Sequence, residues 1–430
     1  MDQPYSDRVE LPWGAAKKAL FRACFLFFVL FILLAPSEII PADNPVYDVY
    51  IHPFHLLVPW MGKHILHLSY EVIVPSYAAG DSSYDILMLL LMAVMTALGC
   101  LVWTIADRKR KDYRVLFFWL TVLVRYFCAF CMLSPGLSKL YKLQFGFPSP
   151  GSLIQPLGTY SPMHLAWAFF GYSSVYNYFL GGIEFITGLL LLFRRTTRLG
   201  VLLLLGIVAN IAVINYCYDV TVKVLSSVLM VMAFFLLWQQ RRQLINFFFR
   251  NKPVMTESEW TPQFGKKWVH PVLVFVKYSF IIGLLCLINM CAIGFLKDYS
   301  DNRPRPSLYG IFNVRSFVRN RDTLAPVMTD TIRWRRLIIG SGASVRGMND
   351  SAKSYVFLPD TVRRTITMYR AADSAHKSYF VYAFIGKDSL RLQGLWKGDS
   401  VSIVMQKYDL NNFILVNRGF HLINEVPYQK

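Results

Sequence analysis

Apolar residues fall in long, nearly uninterrupted runs along the first two thirds of the chain, and short polar segments separate these runs. Each run is about 18 residues or longer, which is the length that an α-helix needs to cross the hydrocarbon core of a bilayer. The pattern predicts seven helical spans, at about 18–35, 84–106, 115–133, 176–193, 199–216, 220–238 and 271–296. The fold class predicted for this part is an α-helical polytopic membrane bundle.

The pattern changes at Lys297, after which apolar and polar residues alternate over short stretches. Segments 389–395 and 400–406, joined by a turn at 396–399, predict a β-hairpin. Further strands are predicted at 332–340, 365–369, 379–385 and 412–417. The chain is therefore expected to consist of a transmembrane helical domain, 1–296, and an all-β extracytoplasmic domain, 297–430, folded as a small antiparallel barrel or sandwich.

Segment 134–174 lies between two predicted spans and is half apolar, but proline and glycine interrupt it. Such punctuation prevents a span, so short interfacial or re-entrant helices are predicted here. We expect them to cover the mouth of a pocket between the membrane helices. Gln144 and His164 are the polar side chains of this segment that are expected to face a ligand.

Composition supports the membrane assignment, since 55% of the residues are hydrophobic and only 17% are charged. The seven cysteines all lie in or beside apolar runs, which argues against a disulfide-stapled secreted fold. The first apolar run is predicted to be a retained helix because Ala35–Glu38 is a poor site for signal cleavage.

The formal net charge of +19 would suit a nucleic-acid-binding protein, but the basic residues cluster at alternate loops. This alternation predicts a protein of the cell inner membrane with a cytoplasmic N-terminus and a periplasmic C-terminal domain. The expected partners are therefore the lipid bilayer and a periplasmic or membrane protein, and no nucleic acid.

Polar residues inside the apolar runs are the main candidates for chemistry, because each ionisable group at membrane depth needs a partner, a water-filled cavity or a role. The candidates for ligand binding or proton handling are Arg125, Glu184, Asn215, Asp219 and Lys223. We expect Glu184 or Asp219 to counter Arg125, and Asp219 to meet Lys223 one helical turn later. All are expected to converge on one sheltered polar pocket that opens to the cell exterior. A balanced structural network is the alternative.

Two HxxH pairs, His52/His55 and His64/His67, precede the second predicted span. Imidazole pairs at this spacing can ligate a transition metal, whereas histidines also collect at membrane interfaces for their amphipathic rings. Either interpretation is open from the sequence.

Two further pairs occur at helical spacing. Cys128 and Cys131 would face one side of the third predicted span, where they are either a redox centre or two small packing residues.

Asp81 and Asp85 stand at the start of the second predicted span. Asp81 or Ser82 is expected to cap that helix, and the alternative is that the two carboxylates hold a cation or a substrate.

Several motifs resemble the DoxX-like family of membrane proteins, and more closely its Bacteroidetes members with a C-terminal extracytoplasmic domain. The matching motifs are Gly136-x-Ser138-Lys139, the segment Gln144–Trp167, the turn FRRTTRLG at 193–200, NYCYDVTVK at 215–223 and NRGFHLINEVPY at 417–428. Thr221 replaces a usual proline and Leu422 a usual tryptophan. The CxxC pair is not part of the family pattern.

The resemblance implies a four-helix membrane module linked to respiratory or sulfur redox work, including a quinone-reducing thiosulfate oxidase subunit. We therefore expect a component of a membrane redox system whose intramembrane pocket holds a quinone-like or small ligand. The alternative is a non-enzymatic membrane scaffold whose outer β-domain binds a periplasmic partner.

Overall fold

The computed structural model of the chain describes residues 12–34, 45–74, 80–253 and 268–425. The chain forms two compact units, Met1–Gln144 with Val175–Gly294, and Phe145–Ser174 with Phe295–Lys430. This division lies close to the predicted boundary at residue 297, but it assigns the predicted external segment 145–174 to the second unit. Residues 35–38, where signal cleavage was considered, and the last residues of the 417–428 motif lie outside the described residues.

Twelve helices occur in the described ranges. In chain order they are α1 Ala15–Leu34, α2 Pro45–His64, α3 Ser83–Ala106, α4 Arg114–Leu140, α5 Pro150–Leu153, α6 Pro162–Tyr172, α7 Ser174–Leu192, α8 Thr197–Cys217, α9 Lys223–Trp238, α10 Arg241–Phe248, α11 Val269–Tyr299 and α12 Ile414–Asn417.

Five of these helices, α3, α4, α7, α8 and α11, are long and apolar enough to cross a membrane. A sixth span results if α9 and α10, which meet at a bend of 74°, are taken together. The predicted first span corresponds to α1, whose first half carries Lys17, Lys18 and Arg22. Helix α2 was not predicted, because its internal Pro53 and Pro59 are residues that normally break a helix.

One end of α4 is fixed to α1 and α3 by a buried arginine. Arg22 of α1 donates from Nη2 to the hydroxyl of Tyr113 at 2.7 Å and from Nη1 to Oγ1 of Thr104 at 2.8 Å. The ring of Phe21 stacks on that of Tyr113 with centroids 5.2 Å apart. Because the guanidinium is satisfied by hydroxyl groups of α3 and the α4 N-cap, its burial holds the three helices in register.

The second unit is built around an antiparallel β-barrel. Its strands are β1 Gly310–Arg319, β2 Asp322–Thr323, β3 Trp334–Ile339, β4 Ala343–Gly347, β5 Ala352–Asp360, β6 Thr365–Arg370, β7 Asp373–Phe384, β8 Ser389–Trp396 and β9 Asp399–Tyr408. The order is β2-β1-β3-β4-β5-β6-β7-β8-β9, and β1 also pairs with β9. Eight strands therefore close into a barrel, with β2 as a short extension of β1, so the barrel rather than the sandwich is the architecture.

The predicted hairpin is present, since β8 pairs with β9 from Ser389↔Gln406 to Trp396↔Asp399. The strands predicted at 332–340, 365–369 and 379–385 correspond to β3, β6 and β7. The strand predicted at 412–417 is wrong, because this segment forms a 3₁₀ turn at Leu410–Asn412 and then α12. The side chain of Asp409 accepts from the Asn411 amide and so starts a turn where an extended chain was expected.

Aromatic side chains fill the barrel interior. Trp334 lies on Trp396 with ring centroids 4.8 Å apart, and Phe380 contacts both rings. Leu390, Leu392 and other residues that alternate along the strands complete this core. The interior of an eight-stranded barrel is just wide enough for side chains to fill, and the buried side chains of these strands occupy it here.

Segment 145–174 packs on the outside of the barrel within the second unit. Arg346 of β4 donates to the Ile154 carbonyl at 3.3 Å, and the Tyr172 hydroxyl donates to the Arg418 carbonyl at 3.0 Å. The Phe147 amide donates to Asp301 at 2.8 Å. The predicted short helices of this segment are present as α5 and α6.

Candidate functional site: a buried ion pair at a close helix crossing

Helices α4 and α7 cross with their backbones in contact, because small residues occupy the crossing on both sides. A Cβ added at Gly181 would lie 2.6 Å from the Gly136 carbonyl oxygen and 2.9 Å from the Leu140 amide nitrogen. One at Gly188, seven residues later, would lie 2.9 Å from the Ala129 carbonyl oxygen. Small residues repeated on one face allow such an approach between apolar helices.

The crossing brings together a lysine and a glutamate that are both buried. The Nζ atom of Lys139 lies 2.7 Å from Oε2 of Glu184, and the two residues are 6% and 4% exposed. Removing two charges from water is costly, and the pair persists only because the contact is short and direct. The two oppositely charged groups therefore hold α4 to α7 at this level.

This pairing corrects the predicted one. Glu184 or Asp219 was expected to counter Arg125, whereas Asp219 pairs with Lys223 and Glu184 pairs with Lys139. Lys139 was not among the predicted site residues. The sequence signal for Lys139 was its place in the motif Gly136-x-Ser138-Lys139. Nothing in the sequence indicated that the glycine of this motif and Gly181 form the crossing that carries the pair.

Polar groups near these elements are buried without a partner among the described residues. The hydroxyl of Thr187, one helical turn after Glu184, and Oε1 of Gln144 are of this kind. His164, also predicted to face a ligand, instead contacts Oγ of Ser152 at 3.2 Å and the ring of Tyr160. Gln144 lies in the first unit and His164 in the second.

Arg125 lies far from the Lys139–Glu184 pair. Its Nη1 donates to Oγ1 of Thr197 at 3.3 Å, and its guanidinium lies 5.4 Å from the Tyr126 ring centroid. Fourteen residues separate Arg125 from Lys139 on the same helix, which is about 21 Å along the axis. The guanidinium and the ion pair therefore do not share one pocket.

A second group of charges lies where α9 begins. Asp81 accepts from the backbone amides of Lys223 at 2.7 Å and Val224 at 2.8 Å. The Nζ atom of Lys223 lies 2.8 Å from Asp219 and 3.7 Å from Asp81. The expected pairing of Asp219 with Lys223 is thus present, but the Asp219 side chain is 81% exposed and not sheltered.

Asp81 caps α9 and not the helix that follows it in sequence. The cap of α3 is Ser82, whose side chain accepts from the Asp85 amide while the Asp85 carboxylate accepts from the Ser82 amide at 2.9 Å. Both carboxylates are committed to helix starts, so the cation site considered for them is not formed.

Asn215 lies at the same end of α8. Its side-chain amide donates to the Val222 carbonyl at 3.4 Å and so ties the turn between α8 and α9. Asn215 stands eighteen residues from Thr197, the partner of Arg125, or about 27 Å along α8. The prediction that all five candidates converge on one chamber is therefore wrong, because they occupy separate levels of the helical unit.

The four histidines considered as metal ligands, His52, His55, His64 and His67, do not form a metal site. His52 and His64 are twelve residues apart on α2, about 18 Å along the axis. The two HxxH pairs therefore cannot combine around one ion. In the described ranges, no group of three or more His, Cys, Asp or Glu side chains could hold a metal ion.

Two of these histidines contact aromatic rings. His55 packs on the Tyr84 ring, and His64 stacks on the Trp60 ring. Helix α2 ends at His64, so His67 lies beyond the helix, where it is exposed and takes a left-handed backbone with φ 49°. The spacing of His64 and His67 therefore does not place them on one helix face, which removes the geometric basis of that pair.

Cys128 and Cys131 are both buried free thiols on α4. They belong to the apolar core of the helical unit, where Cys128 has no exposed surface. This environment is that of small packing residues, and it gives the Cys128 sulfur no path to an external thiol.

Comparison with known proteins found a bacterial relative. Over 130 residues this chain is 42% identical to the uncharacterized protein YwoB of Bacillus subtilis strain 168, a match that covers 30% of this chain and 82% of YwoB. No family model and no solved structure matches the chain. The DoxX-like resemblance therefore depends on the motifs quoted above.

Proposed function

This chain belongs to the same family as the uncharacterized protein YwoB of Bacillus subtilis, and from that premise we propose that it is a non-enzymatic membrane scaffold whose outer barrel binds a partner protein. In this proposal the helical unit lies in the cell inner membrane, with its N-terminus in the cytoplasm and its barrel in the periplasm. The ion pairs of the helices then have a structural role.

The observation that carries the proposal is an apolar row on the outside of the barrel. Leu358 of β5, Tyr379 of β7 and Leu395 of β8 occupy one row across the sheet, and Thr367 of β6 lies between the first two. Leu358, Tyr379 and Leu395 are 53%, 60% and 58% exposed. Val381, two residues along β7, extends the row and is equally exposed.

Such a row is unusual for an outer face, because the inward residues of the same strands already supply a closed core. A barrel strand with one solvated face normally alternates apolar inside with polar outside. Contiguous exposed apolar residues mark protein–protein contact sites. A partner with a complementary apolar strip would bury Leu358, Tyr379 and Leu395 together.

The distribution of charge in the helical unit favours the scaffold. Glu184 is neutralised by Lys139, and Lys223 is neutralised by Asp219 and Asp81. Paired charges at helix crossings and helix starts stabilise one arrangement of helices without any ligand.

The test is site-specific photo-crosslinking in living cells. A photoreactive residue at Leu358 or Tyr379 should give the same discrete adduct, and one at Ser354, exposed on the same strand as Leu358, should give none. Leu395→Asp should abolish the adduct at Tyr379. No adduct at the row, or an equal adduct at Ser354, would refute the proposal.

A second candidate follows from Lys139 and Glu184 themselves. A buried acid and base, and the hydroxyl of Thr187 one turn after Glu184 that has no partner among the described residues, offer hydrogen-bonding groups to a small polar headgroup. This arrangement supports the redox component that the DoxX-like resemblance implies, with a quinone as its ligand. Purified protein should then retain a quinone, and Glu184→Gln should lose it; a preparation that holds no quinone would eliminate this candidate.

A further inference from the structure

Two arginines face each other on the outside of the barrel. Arg336 of β3 and Arg346 of β4 are directly opposite in the strand register. They belong to an outward row that continues through Asn313 of β1 to Gln406 of β9. Side chains directly opposite on antiparallel strands have Cβ atoms about 5 Å apart, and like charges at that distance destabilise the sheet.

Two strand arginines of the barrel are neutralised by carboxylates, whereas Arg336 and Arg346 are not. Arg335 pairs with Asp350 at 2.5 Å, and Arg319 pairs with Asp399 at 2.7 Å. In the part of the chain that the structure describes, neither Arg336 nor Arg346 forms an ion pair with a carboxylate. Among the described residues, these two adjacent positive charges therefore have no carboxylate at ion-pair distance, and Asp350 acts on Arg336 only from farther away.

Hydrogen bonding leaves donors of both guanidinium groups unused. Arg336 donates from Nε to Oδ1 of Asn313 at 2.9 Å, which orients its two terminal nitrogens. Arg346 donates from Nη1 to the Ile154 carbonyl at 3.3 Å, while its Nε is buried without an acceptor among the described residues. An unsatisfied buried donor on a charged group is costly.

This part of the outer face is covered, so the charges are not simply solvated. The neighbouring outward row contains Ile311 and Ile338, which are 1% and 5% exposed. Arg336 and Arg346 are themselves half-buried. A partly desolvated site strengthens the attraction between a guanidinium and an anion.

We propose that Arg336 and Arg346 form a binding site for a phosphate group on the outer face of the barrel. A phosphate offers several oxygens to donors held in fixed forks, and two guanidinium groups can each contact it in a bidentate manner. The phosphate can belong to a lipid headgroup or to a soluble phosphate, since both present the same chemistry. A bound anion would remove the repulsion between the two arginines and give Nε of Arg346 an acceptor.

The electrostatic surroundings agree with this geometry. Burial, and then the positive charges of Arg335 and Arg346, lower the pKa of Arg336 below its ordinary value. A dianion beside the pair would act in the opposite direction and stabilise both charged forms.

The experiment uses the full-length protein in neutral detergent micelles and in lipid nanodiscs. In micelles, calorimetric titration with inorganic phosphate is compared for the wild type, Arg336→Gln, Arg346→Gln and the control Arg391→Gln. Arg391 is exposed on β8 and its register partners are Ala383 and Val404, so it faces no second arginine. In nanodiscs, thermal unfolding is compared between phosphatidylcholine and phosphatidylglycerol for the same four proteins.

Binding of phosphate by the wild type and the control, weakened about tenfold or more in the two site variants, supports the site for soluble phosphate. A higher unfolding temperature in phosphatidylglycerol that the site variants alone lose supports a lipid headgroup. The proposal is overturned if the wild type neither binds phosphate in micelles nor unfolds at a higher temperature in phosphatidylglycerol. It is also overturned if all four proteins behave alike in both measurements.

Folding of the variants is tested separately. Without phosphate, Arg346→Gln should be at least as stable as the wild type, because it removes the repulsion. If Arg346→Gln is less stable than the wild type without phosphate, the repulsion on which the proposal depends is not present and the proposal is overturned. If Arg346→Lys binds phosphate as the wild type does, the assignment of Arg346 is overturned.

Discussion

Glu184→Gln tests whether the Lys139–Glu184 pair holds the helical unit together. The substitution keeps the size of the side chain but leaves the Lys139 ammonium buried without its counter-charge, 2.7 Å from a neutral amide. Breaking a buried ion pair on one side costs about 3–5 kcal/mol. Replacing both partners, in Glu184→Gln with Lys139→Met, removes both buried charges, so the double variant should be more stable than either single variant.

The assay is equilibrium unfolding of the purified protein in mixed micelles of dodecyl maltoside and dodecyl sulfate, followed by circular dichroism. Asp219→Asn is the matched control, since it makes the same acid-to-amide change on a carboxylate that is 81% exposed. An exposed ion pair contributes at most about 1 kcal/mol. The reasoning is refuted if Glu184→Gln costs no more than Asp219→Asn, or if the double variant loses the sum of the two single losses.

Three further outcomes are expected. Gly181→Ala should destabilise the helical unit by about 1–3 kcal/mol because its Cβ would meet the α4 backbone, whereas Gly182→Ala, with nothing within 4 Å, should be neutral or stabilising in the same unfolding assay. Asp81→Ala should lower stability by about 0.5–2 kcal/mol because it removes the cap on two amides of α9, again measured by unfolding. Asp373 accepts a hydrogen bond from Nδ1 of His376 and raises the pKa of that imidazole above its ordinary value, and Asp373→Asn should lower the pKa in an NMR titration.

Each of these has an outcome that would contradict it. Equal stability of the two glycine variants would mean that the α4–α7 crossing is looser than described. An unchanged midpoint for Asp81→Ala would show that Asp81 does not cap α9. In the exposed Asp373–His376 pair, the pKa of Asp373 is lowered and the pKa of His376 is raised. The contribution of the pair to the free energy of unfolding is therefore lost as the pH falls through the Asp373 pKa or rises through the His376 pKa. If Asp373→Asn leaves the pKa of His376 unchanged, the contact between the two side chains is disproved.

The sequence by itself determined the long helices and five of the nine strands in the described part of the chain, whereas β1, β2, β4 and β5 were not predicted. A long apolar run predicts a helix, because only a helix pairs the backbone N–H and C=O groups of a single segment with one another. The hairpin of β8 and β9 follows from strict alternation around a turn at 396–399, where Lys397 and Gly398 take positive φ. Two other errors have local causes. The internal prolines of α2 argued against a helix, and the cap at Asp409 starts a turn where a strand was predicted.

Only the tertiary structure decided which charges meet. A helical pattern fixes the face on which Glu184 lies, but its partner depends on the helix that crosses at that level, and the crossing is set by Gly136 against Gly181. Closure of the barrel by β1 and β9, and the facing of Arg336 and Arg346, likewise depend on the pairing and register of separate strands. Local sequence encodes periodicity, whereas the choice among distant partners follows from packing the whole chain, which is why the expected single cluster of charges is divided in the folded protein.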